Sequence, residues 1–196
     1  MTTVAEKLGR LGACDDAIRW ARKFGQDHHR AWKACNRLEW LLWWLLRNEK
    51  GNRRRLAAAA ADGIERFLPL VDKVSPGLQC VRWAIRILRK QARGNLRRNA
   101  HDNHTVAQTL QFAQECHRLG GFDGRNLAAG SVAFACRTAL AFGPHFAFGN
   151  LKSAYWYAKV YPNPAHGNAA AGEAILCRIL RKHFPVPPRL AKKEKS

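Results

Sequence analysis

The run from Arg37 to Arg47, Arg-Leu-Glu-Trp-Leu-Leu-Trp-Trp-Leu-Leu-Arg, constrains the fold more than any other stretch of the chain. Its seven positions from Trp40 to Leu46 hold three tryptophans and four leucines. A helix that is apolar on every side is buried rather than laid on a surface. The run contains no β-branched residue, and leucine favours helices, so a helix is predicted and not a strand. We expect this helix to lie inside the protein, with the other helices packed around it.

The composition extends the helical prediction to the whole chain. Alanine occurs 31 times in 196 residues, whereas valine, isoleucine and threonine together occur 19 times, which favours helices over an extensive sheet. A chain of this length is long enough for one domain with a sizeable core. We therefore predict an all-α fold: a single compact domain of about eight or nine helices over residues 1–184. Residues 185–196 form a basic, proline-containing tail that is not expected to be ordered.

Capping residues, glycines and prolines place the helix boundaries. Asp27 is expected to cap a short helix, and Gly51 is expected to end the Trp-rich helix. Two pairs, Ser75-Pro76 and Asn163-Pro164, each combine an N-cap with proline at the first helical position. The segment Asn99–Asn103 is expected to be a polar connector before the next helix.

The cysteines and the N-terminus indicate a reducing compartment. The six cysteines are far apart, contain no CxxC pair and have apolar or alanine-rich neighbours, so we expect free, buried thiols and no zinc site. The longest apolar runs are about seven residues, against roughly 20 needed to cross a bilayer. The N-terminus lacks the charged-then-apolar pattern of a signal peptide. A cytoplasmic protein is the expectation.

The charge is strongly one-sided. Lysine and arginine together number 34 and aspartate and glutamate 14, which gives a formal net charge of +20. Such an excess favours an anionic partner. The helix that follows Ser75-Pro76 is apolar over most of its circumference and leaves one narrow basic line. We call this line, with its extension beyond the helix, the arginine ridge and predict it to be the binding surface; its members are Arg82, Arg86, Arg89, Arg93, Arg97 and Arg98.

Three stretches resemble chemical sites but have simpler structural explanations. His28-His29 beside Asp27 is typical of a solvated helix start, and His101 and His104 lie in the polar connector. The glycines between Gly120 and Gly130 lack the phosphate-loop pattern and follow no predicted strand. No GxSxG, HExxH or paired-carboxylate arrangement occurs. A non-enzyme that needs no metal or cofactor is expected.

The tryptophans are predicted to be core residues and not base-stacking platforms. Five of the seven fall within residues 20–44 at helical positions. Trp156, between two tyrosines, is the one expected to be partly exposed.

The N-terminal third carries a further pattern: Leu11-Gly-Ala-Cys14, Ala17 and Trp20, Ala31-Trp32-Lys-Ala-Cys35, and Glu39-Trp40-Leu-Leu-Trp43. It resembles an immunity-protein family of bacterial polymorphic toxin systems that is also found in phage genomes. The likeness covers residues 11–47, and the later helices agree only in composition and order. Leu38-Glu39 stands where that family has a small residue and an acidic residue. The resemblance implies an all-helical, non-catalytic binding protein, and it assigns no binding residue.

Two functions are therefore expected. The first is an immunity-like protein or phage-borne inhibitor that neutralises an acidic partner protein, a toxin or a host protein, through its basic surface. The alternative is a nucleic-acid-binding protein that uses the arginine ridge and the basic tail.

Overall fold

The structure is a computed structural model that describes residues 2–47, 49–71, 78–94, 100–120, 124–159 and 169–187. The described residues form ten α-helices and one short 3-10 helix, Arg22–Phe24. The α-helices are α1 Val4–Arg10, α2 Asp15–Ala21, α3 His28–Ala34, α4 Leu38–Leu46, α5 Glu49–Val71, α6 Leu78–Ala92, α7 Ala100–Gly120, α8 Gly124–Ala141, α9 Phe146–Lys159 and α10 Ala169–His183.

The all-α prediction is confirmed, because the described residues contain helices and no strand. The ten α-helices slightly exceed the predicted eight or nine. They form a compact arrangement in which the apolar side chains of the N-terminal and C-terminal helices join one core. No described helix combines the length and the apolar character that crossing a membrane requires.

The centre of the fold is formed by α5 and α8 and not, as expected, by the Trp-rich helix. Helix α8 packs against α5, α6, α7 and α9, and α5 packs also against α6, α9 and α10. Both helices present alanines to their neighbours, among them the buried Ala59, Ala60, Ala133 and Ala135. Small side chains let helix axes approach closely, so the alanine-rich helices occupy the positions with most neighbours.

The Trp-rich helix α4 is buried on one face only. Leu38, Leu41, Trp44 and Leu45 are buried. Four other side chains, Trp40, Leu42, Trp43 and Leu46, are partly exposed and pack at the edge of the core. Packing of α4 against α5 and α10 covers one side of the helix, which leaves part of its apolar circumference at the surface.

Two predicted boundaries were wrong. Gly51 lies inside α5 and does not end α4, which stops at Leu46. The side chain of Asn52 donates a hydrogen bond to the carbonyl of Leu45 (3.1 Å) and so satisfies one of the free carbonyls at the end of α4. Residues 100–103 belong to α7 and not to a connector, and Asp102 lies in its first turn, where a carboxylate suits the helix dipole. Ser75-Pro76, Asn163-Pro164 and most of the tail, residues 188–196, lie outside the described residues.

Hydrogen bonds join α10, and Phe184 directly after it, to the N-terminal helices α3 and α4. The buried indole Nε1 of Trp32 donates to the carbonyl of Phe184 (2.8 Å). Arg181 donates to the carbonyls of Trp32 and Cys35 at the end of α3. Glu173 accepts from the backbone N–H of Leu38 (2.7 Å) and so caps α4, whose own N-cap residue provides no side-chain bond.

Candidate functional site

The arginine ridge lies on α6 as the sequence predicted. Arg82, Arg86, Arg89 and Arg93 are exposed, while Val81 and its apolar neighbours on the opposite side of the helix are buried. The four arginines repeat at helical spacing, so they lie on one face over about 16 Å. Helix α6 itself contains no acidic residue. Arg97 and Arg98, the other two predicted site residues, lie outside the described residues.

The ridge arginines have few partners within the described part of the chain. Arg89 forms an exposed ion pair with Glu65 on α5 (2.6 Å), which contributes little to stability. The guanidinium of Arg86 stacks over the ring of Trp83, 4.8 Å from its centre. Arg82 and Arg93 have no ion-pair partner among the described residues. The ridge therefore keeps positive charge available for a ligand.

Helix α5 adds to this basic surface, which the sequence reasoning missed. The guanidinium of Arg54 lies over Gly94, at the end of α6, so close that a Cβ atom on Gly94 would come within 2.9 Å of it. Gly94 has a positive φ of 95°, which favours glycine, and its lack of a side chain leaves room for the arginine. Three consecutive arginines, Arg53, Arg54 and Arg55, were the sequence signal.

A groove lined with tryptophan is the second notable feature. It has a volume of about 370 Å³ and lies between α4 and the α1–α2 hairpin. We call it the tryptophan groove; its lining residues are Leu8, Gly12, Ala13, Cys14, Ala17, Trp20, Cys35, Glu39, Trp40, Trp43 and Trp44. The prediction that the tryptophans of residues 20–44 are core residues is confirmed for Trp32 and Trp44. It was only partly right for Trp20, Trp40 and Trp43, which remain partly exposed because this groove is open.

A cationic side chain is stacked on each of three tryptophans of the groove. Lys23 lies over the ring of Trp20 (5.3 Å), Arg37 over Trp40 (5.1 Å) and Arg47 over Trp43 (5.2 Å). All three cationic side chains belong to exposed residues. Such contacts hold the charges against the rings while leaving them in water.

The one carboxylate in the groove lining, Glu39, has a cationic partner. Glu39 accepts a hydrogen bond from Lys152 (2.6 Å), which also pairs with Glu173 (3.2 Å). Partial burial by itself would raise the pKa of Glu39, but the bonds and the positive charge of Lys152 outweigh it and hold this pKa below its usual value. Lys23, Arg37 and Arg47 are the cations stacked on the tryptophans of the groove.

A second apolar surface lies at the turn between α8 and α9. Phe142 and Phe146 are 63% and 48% exposed, and their ring centres are 6.0 Å apart. Beside them Arg53 and Leu46 line a cavity of about 430 Å³. Large exposed apolar side chains of this kind often mark interaction sites.

The histidines of the candidate metal site, His28 and His29, lie in the first turn of α3. Asp27 accepts from the N–H of Arg30 (2.8 Å) and caps α3, as predicted. His28 Nε2 lies 3.0 Å from the ammonium of Lys7. Burial and then Lys7 lower the pKa of His28, whereas Asp27 acts in the opposite sense. Among the described residues no group of three or more histidine, cysteine or acidic side chains is suited to hold a metal ion.

The cysteines are free, and all but Cys14 are buried. Burial raises the pKa of Cys35, Cys80 and Cys116 to about 11 and that of Cys177 to about 12. Buried thiols with raised pKa values are unreactive at neutral pH. Cys14, in the lining of the tryptophan groove, is the accessible thiol.

Trp156 is 40% exposed, as predicted.

Comparisons with protein-family models, with curated proteins and with solved structures each found no match.

Proposed function

We propose that this chain is a non-catalytic binding protein, of the immunity-protein or phage-borne inhibitor kind, that neutralises an acidic partner protein through the arginine ridge. The observation that carries the proposal is the pairing of Arg86 with Trp83 beside Arg82 and Arg93, which lack ion-pair partners among the described residues. Arginine and tryptophan are the residues most enriched at the energetic centres of protein interfaces. A guanidinium stacked on an indole is also preorganised for a carboxylate.

The alternative is binding of nucleic acid. It is supported by the regular repeat of the ridge, one arginine for each turn of α6, and by the net charge of +20. The Arg89–Glu65 pair does not distinguish the two functions, because the Glu65 carboxylate repels phosphates and the carboxylates of an acidic protein alike.

Charge reversal of the ridge tests the proposal. The variant carries Arg82→Glu, Arg86→Glu and Arg93→Glu, and its matched control carries Arg22→Glu, Arg30→Glu and Arg178→Glu, at exposed positions of other helices. The wild type and the control are expected to recover one dominant acidic protein from nuclease-treated host lysate. The ridge variant is expected to lose it through charge repulsion.

A binding assay with labelled DNA and RNA distinguishes the two functions. For the protein-binding function, nucleic-acid affinity at about 0.15 M salt should be weak and should respond equally to both triple variants. Tight binding that falls steeply with salt and disappears only in the ridge variant would establish the alternative. If both assays are negative for the wild type, the ridge is a solvated helix face and the proposal is wrong.

A further inference from the structure

The tryptophan groove has the properties of a docking site for apolar side chains. Its walls are indole rings from Trp20, Trp40 and Trp43, and its volume of about 370 Å³ lies near the lower end of the range of ligand pockets. Partly exposed tryptophans are typical anchors of recognition surfaces, because their rings provide large apolar contacts with little conformational freedom to lose.

The cations of the groove specify the charge of its occupant. Arg37 precedes α4 and Arg47 follows it, so the two lie ten positions apart, which corresponds to a rise of about 15 Å along the helix axis. Each is stacked on a tryptophan of the groove, and Lys23 adds a third charge above Trp20. An occupant that satisfies this arrangement is apolar in the middle and negative at both ends.

We propose that the tryptophan groove binds a short acidic peptide segment of a partner protein, with aromatic or aliphatic side chains in the groove and carboxylates at Arg37 and Arg47. This inference goes beyond the proposed function, because it concerns a second site that does not use the arginine ridge. The rise of about 15 Å between the backbone positions of Arg37 and Arg47 corresponds to four or five extended residues. A segment of a protein spans this distance, whereas a single compact anion does not.

Charge also argues against a second copy of the protein, or its own C-terminal residues, as the occupant of the tryptophan groove. A second copy carries the same net charge of +20 and is repelled. The C-terminal residues 185–196 contain four lysines and arginines and one glutamate, so this tail is repelled by the same cations. Glu39, in the groove lining, is already paired with Lys152.

The site is tested on the full chain with a fluorescent peptide of about nine residues. The peptide has a central phenylalanine–leucine pair between runs of aspartate, and a control peptide has alanines at the centre. Cys14 provides an independent readout, because it lines the groove and the other cysteines are buried. The acidic apolar peptide is expected to bind at about 0.15 M salt and to slow alkylation of Cys14 by N-ethylmaleimide, whereas the alanine peptide does neither.

Two variants with equal net charge separate this site from the ridge. Arg37→Gln with Arg47→Gln is expected to weaken peptide binding about tenfold or more, since two charge-assisted contacts are lost. Arg82→Gln with Arg93→Gln is expected to change it by less than about twofold, because distant sites act independently. Loss of partner capture in the ridge variant with unchanged peptide binding would show that the two sites are separate.

Several results would overturn the inference. One is equal weakening by the two variants, since binding would then follow net charge alone. Another is peptide binding that leaves the alkylation of Cys14 unchanged. Protection of Cys14 by self-association, or by a neutral aromatic probe such as naphthalene as strongly as by the peptide, would assign the groove to a different occupant.

Discussion

The tryptophans show how neighbouring groups decide the role of a single residue. Trp32 is buried, and its indole N–H is satisfied by the carbonyl of Phe184, so it stabilises the junction between α3 and α10. Trp43, eleven positions later, is partly exposed, and the guanidinium of Arg47 lies over its ring. The same side-chain type is structural in one place and available for binding in the other.

The protonation of His28 is expected to make the folding stability of the protein depend on pH. Its pKa is lowered in the folded protein, first by burial and then by Lys7, so the folded state binds this proton less readily than the unfolded chain. The stabilisation is therefore present above the unfolded pKa of about 6.5 and is lost as pH falls from there through the lower folded pKa. We expect His28→Gln, which cannot titrate, to lose less stability than wild type on acidification from about pH 7.5 to about pH 5.5.

Urea unfolding at the two pH values measures this difference, with the exposed His29→Gln as the control. The His29→Gln control should lose as much stability as the wild type between the two pH values. A His28→Gln variant as acid-sensitive as the wild type would show that His28 does not contribute.

The contact between α9 and α10 shows what decides the approach of two helices. Gly172 on α10 is buried, and the ring of Tyr155 on α9 lies directly over it. A Cβ atom at Gly172 would be 2.5 Å from a ring carbon of Tyr155 and 2.8 Å from the tyrosine Cβ. Because that Cβ is fixed to the backbone, the helices have to separate to admit even a methyl group.

Gly172→Ala is therefore expected to destabilise the protein. Overpacking costs about 1–3 kcal/mol, which exceeds the gain in helix propensity of up to about 1 kcal/mol. Gly149→Ala on α9 is the matched control, because its Cβ would meet nothing within 4 Å. The control should gain stability by about 0.5–1 kcal/mol in urea unfolding, and a stabilised Gly172→Ala would contradict the packing argument.

The whole molecule is dominated by its charge. A net charge of +20 spread over a domain of this size destabilises the compact state through self-repulsion. The exposed arginines of the ridge concentrate this repulsion on α6, and Glu65 is the only described carboxylate paired with them. A protein that retains this destabilising positive surface is expected to use it for binding.

Salt is accordingly expected to stabilise the protein. Raising the ionic strength from about 0.01 M to about 0.15 M shortens the screening length from about 30 Å to about 8 Å. We expect Tm to rise by about 2–4 °C, which corresponds to about 1 kcal/mol for a domain of this size. In differential scanning calorimetry the variant Arg82→Gln with Arg93→Gln should show a higher Tm at low salt and a smaller rise. A wild-type Tm that falls with salt would contradict this expectation.

Features that depend on local chemistry could be predicted from the residues alone. Alanine content and apolar periodicity predicted the all-α class, and Asp27 marked the start of α3. The repeat of Arg82, Arg86, Arg89 and Arg93 placed these residues on the exposed face of α6. Helix propensity, capping and amphipathic spacing act within a few residues, so each can be recognised without knowing the partners in space.

Contacts between helices, and not the local sequence, set which helices are central and which apolar residues stay open to solvent. The run Trp40–Leu46 is apolar all round, yet α5 and α8 occupy the centre because their alanines admit more neighbours. The tryptophan groove arises where Trp20, Trp40 and Trp43 meet from two separate helices, and Arg54 reaches the ridge only through the packing of α5 on α6. These features depend on contacts between distant parts of the chain, because burial is set by the neighbours of a side chain and not by its own hydrophobicity.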